Sequence, residues 1–304
     1  MEQQDFNPNI GAVVALQEGL RRIVAPNPSP MTFRGTNTYL LGHREIAVID
    51  PGPASDAHLD AILAACRPNQ TITHILVTHS HVDHSPLSAL LSKETGAPIL
   101  AFGPSNVGQS DAMKACLASG MASGGEGIDV DFQPDVLILD QSQIQAGDQR
   151  IKAHHTPGHM GNHMCFAWDD VVFCGDLVMG WASSLVSPPD GDLTDFMTSC
   201  EKLNALKPRI MHAGHGAPIT APVERIEWLI AHRKSRETQI LAALSEDFAT
   251  ARALAEAIYT ETPTALIPAA TRNVFAHLID LEGRKLVSRD GIPNQNARFS
   301  LVGN

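Results

Sequence analysis

The sequence predicts an α/β (α+β) fold, a large layered domain followed by a small winged-helix-like module, and three observations support this prediction. Over roughly the first 220 residues, short apolar runs typical of strands alternate with helical segments, as in an α/β layer structure. Beyond about residue 221, helical segments dominate. The chain closes with two strand-like runs around Asp290-Gly291, a turn signal. We therefore predict a large domain in residues 1–220, then a helical linker and winged-helix-like domain in residues 221–304.

The first half of the large domain is predicted to begin with two strands and to continue with alternating helices and strands. The pattern predicts strands in residues 37–42 (NTYLLG) and 45–50 (EIAVID), and the second run ends abruptly at Asp50-Pro51-Gly52. Ser55 is expected to cap a helix that continues to about Cys66. The elements predicted next are a strand at 73–78, a helix at 86–95 and a strand at 98–102.

The second half repeats this order without a detectable sequence repeat. Between the halves, residues 103–127 are predicted to be irregular or partly helical, and their glycine-rich end at 123–127 is interpreted as a mobile loop. The elements predicted after it are strands at 135–139, 150–154, 164–168 and 171–174, a helix at 195–206 and a strand at 208–211.

The tail is predicted to contain three helices and a hairpin. Residues 222–244 form a long helical pattern with a basic middle, HRKSRE, which is expected to be a solvated face. Residues 250–259 and 269–281 are two further helical patterns. The last helix offers only Arg272 and His277 as basic candidates for DNA contact, so a structural role such as covering a pocket or packing a dimer is favoured.

Composition narrows the class of protein. The chain has 304 residues and a net charge of −11, which disfavours binding to nucleic-acid phosphates. It contains no apolar run long enough for a membrane helix and no secretory signal at the start, so we expect a cytoplasmic protein. The five cysteines are odd in number and form no CxxC pair, which favours free thiols in a reducing compartment.

The strongest chemical signal is HSHVDH at residues 79–84, directly after an apolar strand. Neutral imidazole and carboxylate are good ligands for zinc and similar divalent ions. The alternating His79 and His81 can reach one ion from such a turn, while Asp83 and His84 face a second. The motif therefore predicts a metal site with two ions.

Three weaker motifs also follow predicted strands. In HHTPGH, Pro157-Gly158 forces a turn that presents His159, while His154, His155 and His163 are lesser candidates. In FCGD, Asp176 stands at the end of a strand, where a carboxylate can bridge two cations. In HAGHG, His215 supplies a further imidazole.

The order HSHVDH, HTPGH, GD and GHG resembles the metallo-β-lactamase superfamily over roughly residues 20–220. This resemblance implies an αββα sandwich with the metal site at one edge. It also implies a role for each matching residue: His79, His81 and His159 would bind the first metal, Asp83, His84 and His215 the second, and Asp176 would bridge them. Asp50 matches the first motif of the family, which implies that it orients a ligand or its loop.

The resemblance also bears on activity. The ligand positions are all His or Asp, as in hydrolases of the glyoxalase II and ribonuclease type, which argues against β-lactam hydrolysis as the main role. The segments TFRGTNTYLLG and HRKSRETQI, with the winged-helix-like end, resemble the subgroup of winged-helix-tailed hydrolases that includes β-lactamase-like protein 2. That subgroup implies single-strand endoribonuclease activity as one alternative.

We therefore expect a hydrolase that uses a hydroxide bound to two metals on an ester, thioester, lactone or phosphodiester. An iron-dependent dioxygenase on the same fold is a further alternative. The expected cofactors are two divalent ions, zinc first, with iron or manganese as alternatives. Asp83 is the candidate for proton transfer, and the loops at 103–127 and 177–193 are expected to select the substrate. The expected partner is a small molecule or single-stranded RNA. No membrane partner is expected, DNA is disfavoured, and a homodimer is an option.

Overall fold

Two β-sheets packed face to face form the centre of the computed structural model, which describes residues 3–122, 127–244 and 249–303. In these ranges the first sheet has seven strands, in the order β1 Val14–Gln17, β2 Leu20–Val24, β3 Asn37–Leu41, β4 Glu45–Ile49, β5 Thr71–Leu76, β6 Ile99–Ala101 and β7 Val136–Leu137. The second has five strands, β8 Gln143–Ala146, β9 Gln149–His155, β10 Met164–Trp168, β11 Val171–Gly175 and β12 Ile210–Ala213, and its spatial order runs from β12 to β8.

Strand direction brings several strand ends to one edge of the sandwich. In the first sheet β4 and β5 are parallel, and β3 runs antiparallel to β4. In the second sheet β11 and β12 are parallel, while β10 runs antiparallel to both β9 and β11. The carboxyl ends of parallel neighbours share an edge. The residues that follow β5, β11 and β12 include all the predicted metal ligands except His159, which follows β9.

Helices cover both outer faces, which confirms the predicted αββα sandwich. The helices of the described chain are α1 Asp56–Ala64, α2 Leu87–Thr95, α3 Asp111–Ala118, α4 Leu193–Leu206, α5 Pro222–Leu244, α6 Ala251–Ile258 and α7 Ile267–Gly283. Side chains from both sheets, such as Leu76 and Phe166, form the central core. Outside it, α1 and α2 pack on the first sheet, and α4 and α5 pack on the second. Burial of these faces is the main stabilising term.

The C-terminal module packs on the large domain. It consists of α6, α7 and a hairpin of β13 Val287–Arg289 and β14 Phe299–Leu301, around a core that includes Phe275 and Phe299. Met113 and Met121, from the segment around α3, belong to the same core. The module is therefore joined to the large domain by shared apolar packing and not by the chain alone.

Most predicted elements are confirmed, with shifted ends. The side chain of Ser55 accepts from the N–H of His58 and caps α1, and α5 begins and ends where the pattern predicts. Two short strands, β1 and β8, were not predicted, and both lie at the edge of a sheet. The boundary between residues 1–220 and 221–304 stays a prediction, and the predicted mobile loop at 123–127 falls mostly on residues 123–126, outside the described residues.

The prediction of a solvated basic face on α5 is wrong for one residue. Arg233 is only 1% exposed and donates hydrogen bonds to backbone carbonyls of the large domain. The polar sequence pattern suggested exposure to solvent. The partners of Arg233 are main-chain carbonyls, which any residue can supply and which therefore cannot be recognised from the sequence. Separately, none of the described helices combines the length and apolar character needed to cross a bilayer.

Candidate metal centre

All seven predicted metal ligands meet at the edge of the sandwich. Those in HSHVDH follow β5, Asp176 follows β11, and His215 follows β12. Within the described residues, potential ligand atoms fall into three overlapping groups, each with its atoms within 4.8 Å of one another. The groups are His79 with His81 and His159, Asp83 with His84 and His215, and His79 with His84 and Asp176.

The first group, which we call the imidazole group, consists of His79, His81 and His159. Nδ1 of His81 lies 2.9 Å from Nε2 of His79 and 3.0 Å from Nε2 of His159. The three ring nitrogens therefore converge on one point. Convergent imidazoles of this kind are the usual first-row metal ligands.

The second group, which we call the carboxylate group, consists of Asp83, His84 and His215. Oδ2 of Asp83 lies 3.1 Å from Nε2 of His215 and 3.4 Å from Nε2 of His84. Asp83 is the most exposed of the three, with 21% of its side chain accessible, whereas both imidazoles are buried. The carboxylate therefore forms the open side of this group.

Asp176 lies between the two groups. Its Oδ2 is 3.3 Å from Nε2 of His215 and 3.8 Å from Nε2 of His159, and its Oδ1 is 3.5 Å from Nε2 of His84. Asp176 is thus close to His79 and His159 of the imidazole group and to both histidines of the carboxylate group. A carboxylate in this position can bridge two cations.

Hydrogen bonds fix which ring nitrogen of each histidine is free. Nδ1 of His159 donates to the carbonyl of Leu185, and Nδ1 of His215 donates to the carbonyl of Gly35. A carbonyl only accepts, so each of these rings carries its proton on Nδ1 and its lone pair on Nε2. Both lone pairs consequently point into the cluster, as metal binding requires.

Asp50 sets the same tautomer on two more histidines. Its Oδ2 accepts from Nδ1 of His84 at 2.9 Å and from the hydroxyl of Thr78 at 2.8 Å. Because that hydroxyl donates to Asp50, it accepts from Nδ1 of His79, 2.9 Å away. Asp50 is 2% exposed and so orients His84 directly and His79 through Thr78. This is the geometry that the predicted orienting role of Asp50 requires.

The electrostatics of the two groups differ. Burial lowers the pKa of His79 well below its usual range, and it lowers that of His81 to about 3. Burial alone would raise the pKa of Asp83 and Asp176, but nearby histidines outweigh burial and hold both well below the usual value. Burial alone would lower the pKa of His215, but Asp176 and Asp83 raise it to about 10. The imidazole group is therefore neutral. Without a metal, the carboxylate group pairs carboxylates with protonated imidazoles, and a cation that binds Nε2 would displace the proton there.

The donor set fits a pair of divalent cations. Nε2 of His84 and Oδ1 of Asp176 are buried and have no hydrogen-bond partner among the described residues. Buried polar atoms without partners are costly, and a cation satisfies a lone pair that no donor reaches. The five cysteines are free, and none belongs to the ligand groups found in the described ranges. The ligands are thus imidazole and carboxylate alone.

Several residues that support the site were missed by sequence reasoning. The Thr36 hydroxyl donates to Oδ2 of Asp83, and Asn37 donates to the carbonyls of Ala213 and Gly216, which flank His215. Gly214 is tightly packed, because an added Cβ would lie 2.3 Å from Oδ1 of Asp176. Only the TFRGTN and GHG motifs hinted at these roles.

The lesser histidine candidates do not join the ligand groups found in the described chain. His154 lies beside Gln141, and the ring of His155 stacks on Phe102. His163 is buried with its ring 5.1 Å from that of His79, and its Nδ1 pairs with the hydroxyl of Thr156. His163 therefore packs behind the imidazole group.

A cavity of about 680 Å³ opens above the ligands, with His81, Asp83 and His159 at its floor. Its largest apolar wall residues are Met31, Val82, Met179, Trp181, Leu185 and Leu266. Of the loops expected to select substrate, 177–193 contributes much of the wall, and 103–127 contributes Gly127 among the described residues. Arg272 is the only Lys or Arg among the described lining residues.

The C-terminal module forms one side of this cavity. Tyr259, Leu266, Ala270 and Arg272 all line it, and they come from the segment between α6 and α7 or from α7. Most of α7 is buried from residue 270 to residue 281, including His277. The two basic residues named for DNA contact therefore do not form an exposed face, and covering the pocket is the structural role observed.

Comparison with known proteins agrees with this architecture. The model of the metallo-beta-lactamase superfamily matches residues 31–215, and that of the beta-lactamase associated winged helix domain matches residues 250–295. The chain is 33% identical over 295 residues to a beta-lactamase-like protein 2 homolog of Drosophila melanogaster, covering 92% of this chain and 94% of that one. It is 28% identical over 282 residues to an atrochrysone carboxyl ACP thioesterase of Aspergillus fumigatus, covering 90% and 80%.

A solved structure shows the same arrangement over nearly the whole chain. The crystal structure of a metallo-beta-lactamase family protein from Thermus thermophilus has a TM-score of 0.74 and 26% identity, and the match covers 94% of this chain and 100% of that one. The αββα sandwich, the edge cluster of His and Asp ligands and the two family matches lead to one conclusion: the chain belongs to the metallo-beta-lactamase superfamily, as a hydrolase-type member with the associated winged helix domain.

Proposed function

We propose that this hydrolase cleaves a thioester with a large apolar acyl group and uses two zinc ions. The cavity carries the proposal, because its walls above the ligands are largely apolar. Apolar walls stabilise a bound acyl chain in proportion to the area that they remove from water. The fungal relative named an ACP thioesterase supports the same substrate class.

The cavity does not favour a phosphodiester. Proteins that bind single-stranded nucleic acid combine a basic groove with aromatic stacking platforms. Here Arg272 is the only Lys or Arg among the described lining residues, Trp181 is already stacked on Phe33, and the chain has a net charge of −11. RNA cleavage therefore serves as the alternative outcome of the test below.

The residues divide the work as follows. The imidazole group would hold one ion, the carboxylate group the other, and Asp176 would contact both. Bound there, zinc ions would lower the pKa of water and polarise the substrate carbonyl. Leu185, Leu266 and Met179 would hold the acyl group and exclude bulk water. The second carboxylate oxygen of Asp83, and not the Oδ2 that faces His84 and His215, would accept the proton of the attacking water.

The leaving group separates a thioester from other esters. A thiol has a pKa near 8.5, so a thiolate departs without being protonated, whereas an alkoxide needs a proton. If Asp83 moves the proton, Asp83→Asn should lower kcat less for a thioester than for the matched oxyester. Metal content has to be equal in the two proteins for this comparison. Full activity of Asp83→Asn on both substrates at unchanged metal content would refute the proton role.

The decisive experiment combines metal analysis with a substrate panel. Protein purified without added metal is analysed by mass spectrometry, then assayed on acyl thioesters of increasing length, oxyesters, lactones, β-lactams and short single-stranded RNA. We expect two zinc ions per chain and a kcat/KM that rises about fourfold per buried methylene. Ala269→Trp, which fills the wall formed by α7, should remove the preference for long chains and spare acetyl thioesters.

The alternatives predict different results. RNA cleavage that weakens steeply with salt, without thioester turnover, would favour the endoribonuclease. One iron per chain with oxygen consumption and no hydrolysis would favour the dioxygenase. Either result would overturn the thioesterase proposal.

A further inference from the structure

Helix α5 lies between the two family matches, yet it contacts the loop that forms much of the cavity wall. We call residues 179–186 the wall loop. Arg225 donates from Nε to the carbonyl of Met179 at 2.8 Å and from Nη2 to that of Ala182 at 2.6 Å. Arg233 donates from Nη2 to the carbonyls of Ser183 and Ser184, each at 2.8 Å. Two arginines of one helix thus hold four carbonyls of one loop.

The next two residues of the wall loop connect this helix to the metal cluster. The carbonyl of Leu185 accepts from Nδ1 of His159 at 2.7 Å. The N–H of Val186 donates to Oδ1 of Asn273, which also accepts from Nη1 of Arg233 at 2.9 Å. Leu185 therefore lies between two anchored residues, Ser184 and Val186. The position of its carbonyl, and with it the ring of His159, depends on Arg233 and Asn273.

Arg233 is a costly residue to place here for packing alone. It is 1% exposed, it takes part in none of the ion pairs found in the described ranges, and its Nε is buried without a partner. An apolar side chain of similar size usually costs less stability in such a place than a buried charge. What arginine adds is a planar fork of donors that reaches several acceptors at once.

We propose that Arg233, with Asn273, is a positioning residue that orients the metal ligand His159 through the backbone of the wall loop. The C-terminal part of the chain then contributes to metal binding without supplying a ligand. The proposal depends on the ligand cluster and not on the substrate, so it can be tested by metal binding in the absence of any substrate.

The test measures metal affinity by competition with a chromophoric chelator, together with the visible absorption spectrum of the Co²⁺-loaded protein. Partners that orient a metal-binding histidine typically contribute 10- to 100-fold in affinity, so Arg233→Met should weaken one of the two ions by about that factor. The Co²⁺ spectrum should change for that ion only. Arg233→Lys should recover little, because the acceptors are shared between Nη1 and Nη2 of the guanidinium and a single ammonium nitrogen cannot occupy both positions. Lys234→Met, at the exposed neighbouring position, is the matched control and should bind both ions normally.

A purely structural role predicts the opposite pattern. In that case Arg233→Met would lower the melting temperature of the metal-free protein and leave metal affinity and the Co²⁺ spectrum unchanged. That outcome would overturn the proposal.

A second pair of variants decides the question if Arg233→Met does not fold. Asn273→Asp keeps an oxygen that can accept from both Arg233 and Val186, whereas Asn273→Leu removes it. We expect near-normal metal affinity for the first and a 10- to 100-fold loss for the second. Normal affinity and a normal spectrum in Asn273→Leu would refute the proposal. A wrong substrate class would alter none of these readings.

Discussion

The two halves of the ligand cluster, the imidazole group and the carboxylate group, differ both in charge and in the parts of the chain that support them. The imidazole group is neutral. Its His159 donates a hydrogen bond to the wall loop, and Arg233 of α5 in turn donates to carbonyls of that loop. The carboxylate group carries the charge of Asp83. Its two histidines donate hydrogen bonds to Asp50 and to the carbonyl of Gly35, which lie next to strands of the first sheet. The two ions would therefore depend mainly on different parts of the chain, and Asp50 reaches the imidazole group only through Thr78 and His79. A change in either part should affect mainly one ion.

The C-terminal part of the chain borders the site in two places. The module covers the cavity, and the long helix before it anchors the loop behind His159. The supports of the carboxylate group, Thr36, Asp50 and Gly35, flank strands of the first sheet and involve no contact with the C-terminal helices. The carboxylate group is thus supported by the sandwich itself, whereas His159 of the imidazole group is supported through the wall loop by the C-terminal helices.

The largest effect is expected from removing Asp176, which lies close to both groups and should therefore affect both ions. Asp176→Ala should lose at least one ion and several kcal/mol of transition-state stabilisation, about a 1,000-fold fall in kcat/KM. Metal per chain and initial rates measure this. Asp170→Ala, which removes an exposed aspartate paired with Arg209, is the control. Two ions per chain and activity within tenfold of wild type would contradict the central position of Asp176.

A steric change at Gly214 should disturb the carboxylate group in particular. In Gly214→Ala the new Cβ would approach Oδ1 of Asp176 to 2.3 Å and Cε1 of His84 to 2.5 Å, so both side chains have to move. We expect a loss of about 1–3 kcal/mol in the free energy of unfolding, together with weaker binding of one ion. Gly283→Ala, where the added Cβ meets nothing within 4 Å, is the matched control. Equal melting temperatures and equal metal content for the two variants would argue against this close packing.

Asp50→Asn sharpens the comparison because it should mirror the Arg233 variants. The carboxylate of Asp50 accepts three hydrogen bonds, two from Thr78 and one from His84. In asparagine one oxygen is replaced by an NH₂ group, which cannot accept and would face an N–H or O–H donor. We expect a 10- to 100-fold loss of affinity for the ion held by Asp83, His84 and His215, because His84 bonds Asp50 directly. The loss for the other ion should be smaller, because His79 depends on Asp50 only through Thr78. The Co²⁺ spectrum should therefore change most for the ion that Arg233→Met leaves intact. If both variants weaken mainly the same ion, the two halves are not separately supported.

Much of this site could be predicted from the sequence because its ligands follow strands in short motifs. HSHVDH stands directly after β5, and Asp176 after β11, so strand direction alone places them at one edge. The capping of α1 by Ser55 was equally predictable, since it depends on residues three apart. Features that depend on residues close together in the sequence can therefore be predicted from it.

The supports of the cluster could not be predicted in the same way. The carbonyls of Leu185 and Gly35 carry no side-chain signature, and any residue could supply them. Arg233 sits in a polar run whose composition indicates solvent, and only the tertiary fold shows that the wall loop covers it. Contacts between distant main-chain atoms and side chains are decided by packing, which composition and periodicity do not record.

The smallest effect concerns a carboxylate away from the cluster. Burial and the nearby Asp192 raise the pKa of Asp195, in the first turn of α4, to about 6 from 3.8. No histidine contributes to this shift, in contrast to Asp83 and Asp176. The folded protein therefore binds more protons than the unfolded chain between about pH 4 and pH 6, and its free energy of unfolding falls as the pH rises through that window.

Asp195→Asn tests this contrast. The difference in free energy of unfolding between variant and wild type should increase in favour of the variant from about pH 4 to pH 6 and stay constant above, by less than about 1 kcal/mol because the side chain is partly exposed. Denaturant titrations of chelator-treated protein at several pH values measure it, since contributions from the shared metal ligands cancel in the difference. A difference that is flat with pH would contradict the raised pKa of Asp195. A difference that favours wild type as the pH rises would show that Asp195 is stabilised as a carboxylate, like the aspartates of the cluster, and would remove the contrast between the two settings.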